Sequence, residues 1–216
     1  MHRKLMLLFA ALLMTIGLVA CNGGEATPAP TTAPAPTQTP KTTKVTPEPG
    51  GKGIMGASAS FPAMTLDELI THSDAIIIGK VADILPARKG KDPRGMIPEI
   101  IYQDVIVQTE RYLYGEPESE FIAIRVLGGK IGDTYFISDA DPEFTVGEEA
   151  LLFLYIPPKE FIQNVPEGID SRSIYKVTAS IPGKHEFKDG ILTDYRGQTT
   201  NISTVEEKIA AASQNQ

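Results

Sequence analysis

Apolar residues are distributed unevenly along this chain, and their spacing divides it into three parts. The segment Leu5 to Ala20 is a continuous apolar run without a charged residue. The segment 21–58 is rich in Pro, Thr and Ala and holds few large apolar side chains. From about residue 59 onward, short apolar runs alternate with turn-forming residues, which is the pattern of a folded β-rich domain.

Six apolar runs in the third part have the length and composition of β-strands. They are rich in β-branched residues and are bounded by Gly, Pro, Asn or Asp. The predicted strands are Ala75 to Ile84, Tyr102 to Glu110, Phe121 to Leu127, Thr134 to Ser138, Ala150 to Ile156 and Ile174 to Ala179. Gly79 inside the first run predicts a bulge or a sharp bend. Asp189-Gly190 lies between two further runs, 184–188 and 191–195, and predicts a β-hairpin.

Two helix starts flank this set of strands. Thr65 to Glu68 and Ser203 to Glu206 both match the capping box, in which a hydroxyl and a Glu three residues later cap a helix. The predicted helices end near His72 and Ala212, and residues 86–99, which hold several Pro and Gly, are predicted to be a long loop. The pattern predicts a mainly β fold, a small Greek-key OB-like barrel with a short N-terminal helix and a C-terminal helix. A β-sandwich is the alternative.

The N-terminal segment has the layout of a secretory signal. A short basic start, His2 to Lys4, precedes the apolar run, and that run is shorter than the ~20 residues that a membrane-spanning helix requires. Leu18-Val19-Ala20-Cys21 resembles the lipobox of bacterial lipoproteins. This resemblance implies cleavage between Ala20 and Cys21 and attachment of lipid to the Cys21 thiol. Because two acyl chains hold a protein stably at a bilayer, we expect a lipid-anchored protein on the extracytoplasmic side of a cell membrane.

The segment 21–58 is predicted to be a disordered spacer that starts at the anchor cysteine. Proline recurs from Pro28 to Pro49, and proline removes the backbone donors that helices and sheets require. Such sequences sample extended polyproline conformations. The expected organisation is therefore a signal peptide at 1–20, an anchor and linker at 21–58, and one β-rich domain at 59–216.

Charge and cysteine content narrow the range of partners. The 216-residue chain has a formal net charge of −7 and a single cysteine. An acidic protein lacks the basic face that phosphate neutralisation needs, so we expect no nucleic-acid partner. With Cys21 as the only thiol, no disulfide can form within the chain, and the domain must be held by its core. We expect no cofactor, and we expect a monomer.

Four motifs follow one another in a characteristic order. They are Asp74 to Val81, Val105 to Val107, Leu113 to Gly115 and Phe144 to Leu154. Their order resembles that of netrin-like domains, the group that includes tissue inhibitors of metalloproteinases and many secreted bacterial domains. The resemblance spans about residues 65–160 and implies a five-stranded OB-type barrel with added helices. The chain lacks the family's disulfide cysteines, and a lipidated Cys21 could not serve as the free N-terminal cysteine that the inhibitors use.

The predicted loop 86–99 carries the basic cluster of the domain. Its members are Arg88, Lys89, Lys91 and Arg94. On an acidic protein such a patch can meet an anionic polymer, and long loops on rigid β scaffolds often carry binding sites. These four residues are the candidate ligand-binding set, with a cell-envelope polymer or a protein as the expected partner.

Acidic residues provide a candidate calcium site. Asp139, Asp141 and Glu143 alternate along a predicted turn and offer oxygen ligands of the kind that calcium prefers. Calcium loops of the EF-hand type place Gly at the sixth position, which is Phe144 here. An acidic, solvated turn is therefore the default interpretation.

The expected function is a non-enzymatic binding or interaction module displayed at the membrane. The mature chain has no nucleophile motif, and its two histidines, His72 and His185, are interpreted as surface or cap residues. One alternative is a small envelope hydrolase or a ligand-delivery protein that uses Asp104, Asp139 or Asp141. It requires a pocket in which two carboxylates converge. A structural or envelope-assembly lipoprotein without a ligand is the other alternative.

Overall fold

The computed structural model describes residues 54–57 (backbone only), 64–92, 94–96, 98–115 and 119–214. The strands of this part are β1 (Ile54–Ala57), β2 (Ala75–Ile84), β3 (Arg88–Gly90), β4 (Ile100–Tyr114), β5 (Phe121–Leu127), β6 (Gly129–Ile131), β7 (Thr134–Ser138), β8 (Glu149–Tyr155), β9 (Ile174–Val177), β10 (Lys184–Lys188), β11 (Ile191–Thr193) and β12 (Thr199–Asn201). The helices are α1 (Leu66–Thr71) and α2 (Ile202–Ser213), with short 3-10 turns at Lys159–Phe161, Ser171–Ser173 and Ile181–Gly183.

Five strands close into a barrel. β2 pairs antiparallel with β4 and with β8, and β4 pairs antiparallel with β5. β5 pairs in parallel with β9, and β9 pairs back onto β8. This order makes a Greek-key barrel of the OB type. The predicted mainly β, OB-like fold is confirmed, and the alternative β-sandwich is wrong because the sheet closes on itself.

The apolar core has two layers, one inside the barrel and one outside it. Ile77 faces the barrel interior, whereas Ile76 and Ile78 face outward. Successive side chains of a strand point to opposite faces, so a continuous apolar run is stable only where both faces are covered. The outer layer is covered by the two helices, which contribute Leu69, Ile70, Val205 and Ile209. Burial on both faces explains why β2 and β8 are apolar without alternation.

The irregularity predicted at Gly79 occurs where β2 and β4 approach closely. The register between these strands shifts between Ile78 and Gly79. A Cβ at position 79 would lie 2.6 Å from Val107 Cγ1 and 2.8 Å from the carbonyl oxygen of Gln108. Both distances are shorter than van der Waals contact, so the close approach of the two strands requires glycine here.

The structure confirms one of the two predicted capping boxes. At α1, Thr65 Oγ1 accepts a hydrogen bond from the Glu68 amide, and the Glu68 carboxylate accepts one from the Thr65 amide at 2.7 Å. At α2, the prediction that Ser203 is the cap is wrong, because Asn201 occupies that position. The Asn201 side chain accepts hydrogen bonds from both the amide and the hydroxyl of Ser203. The helix starts early because β12 leads directly into it.

A separate sheet consists of β1, β7 and β6. β1 pairs in parallel with β7, and β7 pairs antiparallel with β6. β1 lies within the segment 21–58 that the composition assigns to the linker. The chain therefore joins the domain's sheets earlier than the predicted boundary at residue 59.

Candidate functional site

The predicted binding loop 86–99 is tied to the barrel by a short strand. Within it, β3 pairs antiparallel with β4. Arg88 Nη1 donates a hydrogen bond to the carbonyl oxygen of Asn164 at 3.0 Å. The backbone amide of Lys91 donates to the side chain of Gln163 at 3.2 Å, and the Gln163 amide donates back to the Lys91 carbonyl oxygen. The loop is thus fastened to the segment that follows β8.

Three of the four predicted cations are paired with acidic side chains. The pairs are Arg88 with Asp104 at 3.7 Å, Lys89 with Glu99 at 2.7 Å and Arg94 with Asp92 at 3.4 Å. The fourth cation, Lys91, is exposed. The structure brings the basic residues together on one loop, but the paired acids offset much of the positive potential that an anionic polymer would meet.

A buried ion pair connects β4 and β5 beneath this loop. Arg125 Nε and Nη2 donate to the two carboxylate oxygens of Asp104 at 2.8 Å and 3.0 Å, and both side chains are almost fully buried. The Arg125 guanidinium also lies over the Tyr102 ring, 4.2 Å from its centroid. Each charge is tolerated in the interior because the other satisfies it. Asp104, a candidate hydrolase carboxylate, is therefore held in a structural pair.

The segment 156–173, which joins β8 to β9, covers this face of the barrel. Arg125 Nη1 donates to the carbonyl oxygens of Phe161 and Gln163 at 2.8 Å and 2.6 Å, and the Tyr102 hydroxyl donates to the same Gln163 oxygen. The space left between segment and barrel is about 10 Å³, which is room for about one water. OB-type barrels bind ligands on the face of their second and third strands. In this protein a segment of the chain itself occupies that face.

The predicted calcium ligands do not form one coordination site. Asp141 accepts a hydrogen bond from the Leu127 amide at 3.0 Å, and Lys176 Nζ lies 3.9 Å from its other oxygen. Asp139 and Glu143 are exposed. In the part of the chain that the structure describes, no group of three or more His, Cys, Asp or Glu side chains is placed to hold a metal ion. Asp141 organises the turn by binding main chain.

A cleft of about 190 Å³ lies beside the outer core layer. It is formed by α1, the Ile181–Gly183 turn, β10, the turn between β11 and β12, and α2. The hairpin predicted at Asp189-Gly190 is confirmed and supplies β10 and β11. The apolar lining residues are Met64, Leu66, Leu69, Pro182 and Val205. The polar and aromatic lining residues are Thr65, His185, Asp194, Tyr195, Arg196, Gln198 and Thr200.

The turn 194–198 presents most of the polar groups, and hydrogen bonds fix its shape. Asp194 Oδ1 accepts from the amides of Arg196 and Gln198, both at 2.8 Å. The Asp194 amide donates to the Gln198 carbonyl oxygen at 2.9 Å, and Gly197 has a φ of 78°, which glycine adopts without strain. The Arg196 guanidinium returns to Asp194 Oδ2 at 3.1 Å. The turn is therefore a rigid element of the cleft wall.

Burial and hydrogen bonding set the protonation states in the cleft. Burial lowers the pKa of His185 below its ordinary value of 6.5, although the hydrogen bond to Pro182 and the charge of Asp194 oppose this. Because the Pro182 carbonyl can only accept, His185 Nε2 carries the proton. Partial burial raises the pKa of Asp194, but hydrogen bonds from Gln198 and Arg196 outweigh it and hold that pKa below 3.8. At neutral pH the cleft thus contains a neutral imidazole and an Asp–Arg pair.

The two histidines that the structure describes, His72 and His185, have different roles. The interpretation of His72 as a cap residue is confirmed, because it ends α1 with its Nδ1 2.8 Å from the Glu68 carbonyl oxygen. The interpretation of His185 as a surface or cap residue is wrong. Its ring packs against Phe153, with centroids 5.5 Å apart, and it lines the cleft. The lining residues of the cleft are spread along the sequence from Met64 to Val205. The polar turn after β11 is therefore the one local sequence feature that could have indicated the cleft.

No protein-family model and no curated protein matches the chain. The lipobox and the netrin-like resemblance therefore stay predictions, and Ala20 and Cys21 lie outside the described residues. Within the described residues, no helix has the length and apolar character needed to cross a bilayer.

Proposed function

We propose that the mature protein is a non-enzymatic binding module, held on the extracytoplasmic side of a membrane by lipid on Cys21, and that the cleft is its ligand site. The cleft is the observation that carries this proposal. Its volume of about 190 Å³ far exceeds the 10 Å³ left over the β4–β5 face. Concave sites with an apolar lining and a few placed polar groups are the usual form of ligand sites. The netrin-like resemblance is consistent with the OB-type strand order and carries no activity.

Two observations favour binding over catalysis. Among the described residues, the His185 ring bonds to the Pro182 carbonyl and to no hydroxyl or thiol, so the nucleophile–base pair of covalent catalysis is not formed there. The acids considered for a hydrolase also have separate environments. Asp104 is paired with Arg125, Asp141 binds main chain, and Asp139 is exposed.

The lipid anchor is tested by replacing the cysteine. Cells producing the wild-type chain or Cys21→Ser are fractionated, and the protein is followed in membrane and soluble fractions. We expect the wild type in the membrane fraction and the variant either in the soluble fraction or as an unprocessed precursor. Processing and membrane retention of the variant equal to those of the wild type would contradict lipidation at Cys21.

The ligand site is tested by pull-down from cell envelopes with matched variants. Tyr195→Ala and Gln198→Ala alter the cleft, whereas Lys91→Ala removes one exposed cation of the predicted loop site. We expect the cleft variants to lose a component that the wild type and Lys91→Ala retain. Loss with Lys91→Ala alone would assign binding to the loop 86–99 instead. Retention by all three variants, or capture of nothing by the wild type, would favour a structural lipoprotein.

A further inference from the structure

The charge distribution of the cleft selects against ionic ligands. Asp194 and Arg196 lie 3.1 Å apart and offset each other, and the His185 imidazole is neutral at neutral pH. An anion or a cation would therefore meet no net opposite charge among these groups. It would also lose hydration on entering, and that cost is large for an ion without a partner. A neutral ligand fits this wall better than a charged one.

Three polar groups of the cleft have hydrogen-bonding capacity that no described residue uses. His185 Nδ1 is an acceptor because Nε2 carries the proton. The side-chain amide of Gln198 and the hydroxyl of Thr200 can each donate and accept. A ligand hydroxyl also donates and accepts, so a ligand with several hydroxyls can satisfy all three groups.

The remaining lining suits the C–H face of a ring. Tyr195 is 47% exposed, and the Arg196 guanidinium carbon lies over its ring, 5.2 Å from the centroid. Apolar side chains, including Met64 and Leu66, line the same cleft. Apolar C–H groups gain free energy when they leave water for such a surface. The cleft thus offers an aromatic and apolar surface together with neutral hydrogen-bonding groups.

We infer that the cleft binds a neutral saccharide unit. A sugar ring presents hydroxyls around its edge and C–H groups on its faces, which matches both kinds of surface. In this arrangement Tyr195 contacts a C–H face, and Gln198, Thr200 and His185 bind hydroxyls. The inference rests on the proposed function, because it takes the cleft as the ligand site. A free sugar and a unit of a glycan chain share this chemistry.

The inference is tested by NMR titration of the full-length protein in a detergent without a sugar headgroup. The neutral probes are glucose, galactose, N-acetylglucosamine and their β-linked oligomers, and the anionic probes are inorganic phosphate and acetate. We expect at least one neutral sugar to shift the signals of Tyr195, Gln198 and Thr200, and neither anion to do so. Tighter binding of longer oligomers would identify a glycan chain as the source, and equal affinity a free sugar.

Matched tyrosine variants provide the control. Tyr195→Ala should weaken sugar binding about tenfold, because the ring contact is lost. Tyr135→Ala should leave the affinity unchanged, because Tyr135 does not line the cleft although it also has a cation, Lys130, over its ring. Unshifted signals of the barrel core would show that each variant is folded.

Three results would overturn the saccharide inference. They are cleft signals that move with phosphate or acetate alone, no shift with any sugar, and unchanged sugar affinity in Tyr195→Ala. If the envelope pull-down still depends on Tyr195 and Gln198 in these cases, the ligand class is wrong and the proposed function stands. If that dependence is missing as well, both are wrong.

Discussion

Arg125 joins parts of the chain that are far apart in the sequence. Its guanidinium binds Asp104 on the neighbouring strand and the carbonyl oxygens of Phe161 and Gln163 in the segment 156–173. In a domain without disulfides, these bonds fasten the segment to the barrel. Removing the arginine would leave the Asp104 carboxylate buried without its main partner, which is the costly way to break a buried pair.

Arg125→Met should therefore lower the free energy of unfolding by about 3–5 kcal/mol, measured by urea denaturation. The double variant Asp104→Leu, Arg125→Met should recover much of this loss, because no buried charge is left. Lys89→Ala is the control, since its pair with Glu99 is half exposed and should contribute less than about 1 kcal/mol. Similar losses for Arg125→Met and Lys89→Ala would show that the buried ion pair contributes no more to the free energy of unfolding than the half-exposed one.

At Gly79, the absence of a Cβ atom allows β2 and β4 to pack closely. Gly79→Ala places a methyl group against Val107 and the Gln108 carbonyl, and β4 must move to make room. We expect a loss of about 1–3 kcal/mol in the free energy of unfolding, as for other overpacked sites. Lys80→Ala, at the next and exposed position of the same strand, should change it much less. Equal effects at both positions would mean that β2 and β4 can separate locally without cost.

At the scale of elements, the observed N-cap of α2 differs from the predicted one. Asn201 caps the helix, whereas the sequence predicts Ser203. Asn201→Ala removes the acceptor for the first turn and should lower the free energy of unfolding by about 0.5–2 kcal/mol. Ser203→Ala should have a smaller effect, because its hydroxyl only donates to Asn201. Thermal or urea unfolding of the two variants checks this order. The reverse order would favour the capping box that the sequence predicts.

The observed ends of the strands agree with the predicted ends at some strands and differ at others. The predicted strands at Ala75–Ile84 and Phe121–Leu127 match the observed ones, because their apolar runs end where the pairing ends. The strand predicted at 102–110 continues to Tyr114. Arg111, Tyr112 and Tyr114 lie beyond the predicted end and are part of the strand because they pair with the start of β2.

At the scale of the whole molecule, His185 links folding to pH. Its pKa is below 6.5 in the folded protein, so below that pH the unfolded chain binds more protons than the folded one. The free energy of unfolding should therefore be fully retained above pH 6.5 and should fall as the pH decreases from 6.5 towards the folded pKa. Urea denaturation on both sides of pH 6.5 measures this.

The His185→Phe variant is the control for that pH dependence. It keeps a ring against Phe153 but cannot titrate, so the decrease below pH 6.5 should be reduced. Asp194 acts in a separate window, because its lowered pKa contributes stability that is lost only as the pH falls below 3.8. An unchanged decrease in His185→Phe would assign the pH dependence near 6.5 to other groups.

The sequence by itself determined the structural features that depend on residues close to one another along the chain. Apolar runs predicted the main strands, Asp189-Gly190 the hairpin, Thr65 to Glu68 the start of α1, and Gly79 an irregular strand. The number and order of these elements were enough to predict an OB-like barrel, because short strands joined by turns have few ways to bury their apolar faces.

Only the tertiary structure decided which surface is open. The sequence predicted a binding site on the loop 86–99, where the basic residues cluster, and His185 was interpreted as a surface or cap residue. Barrel closure brings the segment 156–173 over Arg125 and fills that face, whereas the hairpin and the two helices form the cleft around His185. Both outcomes depend on contacts between residues that are distant along the chain. Pairing register and core packing set those contacts, and no local pattern encodes them.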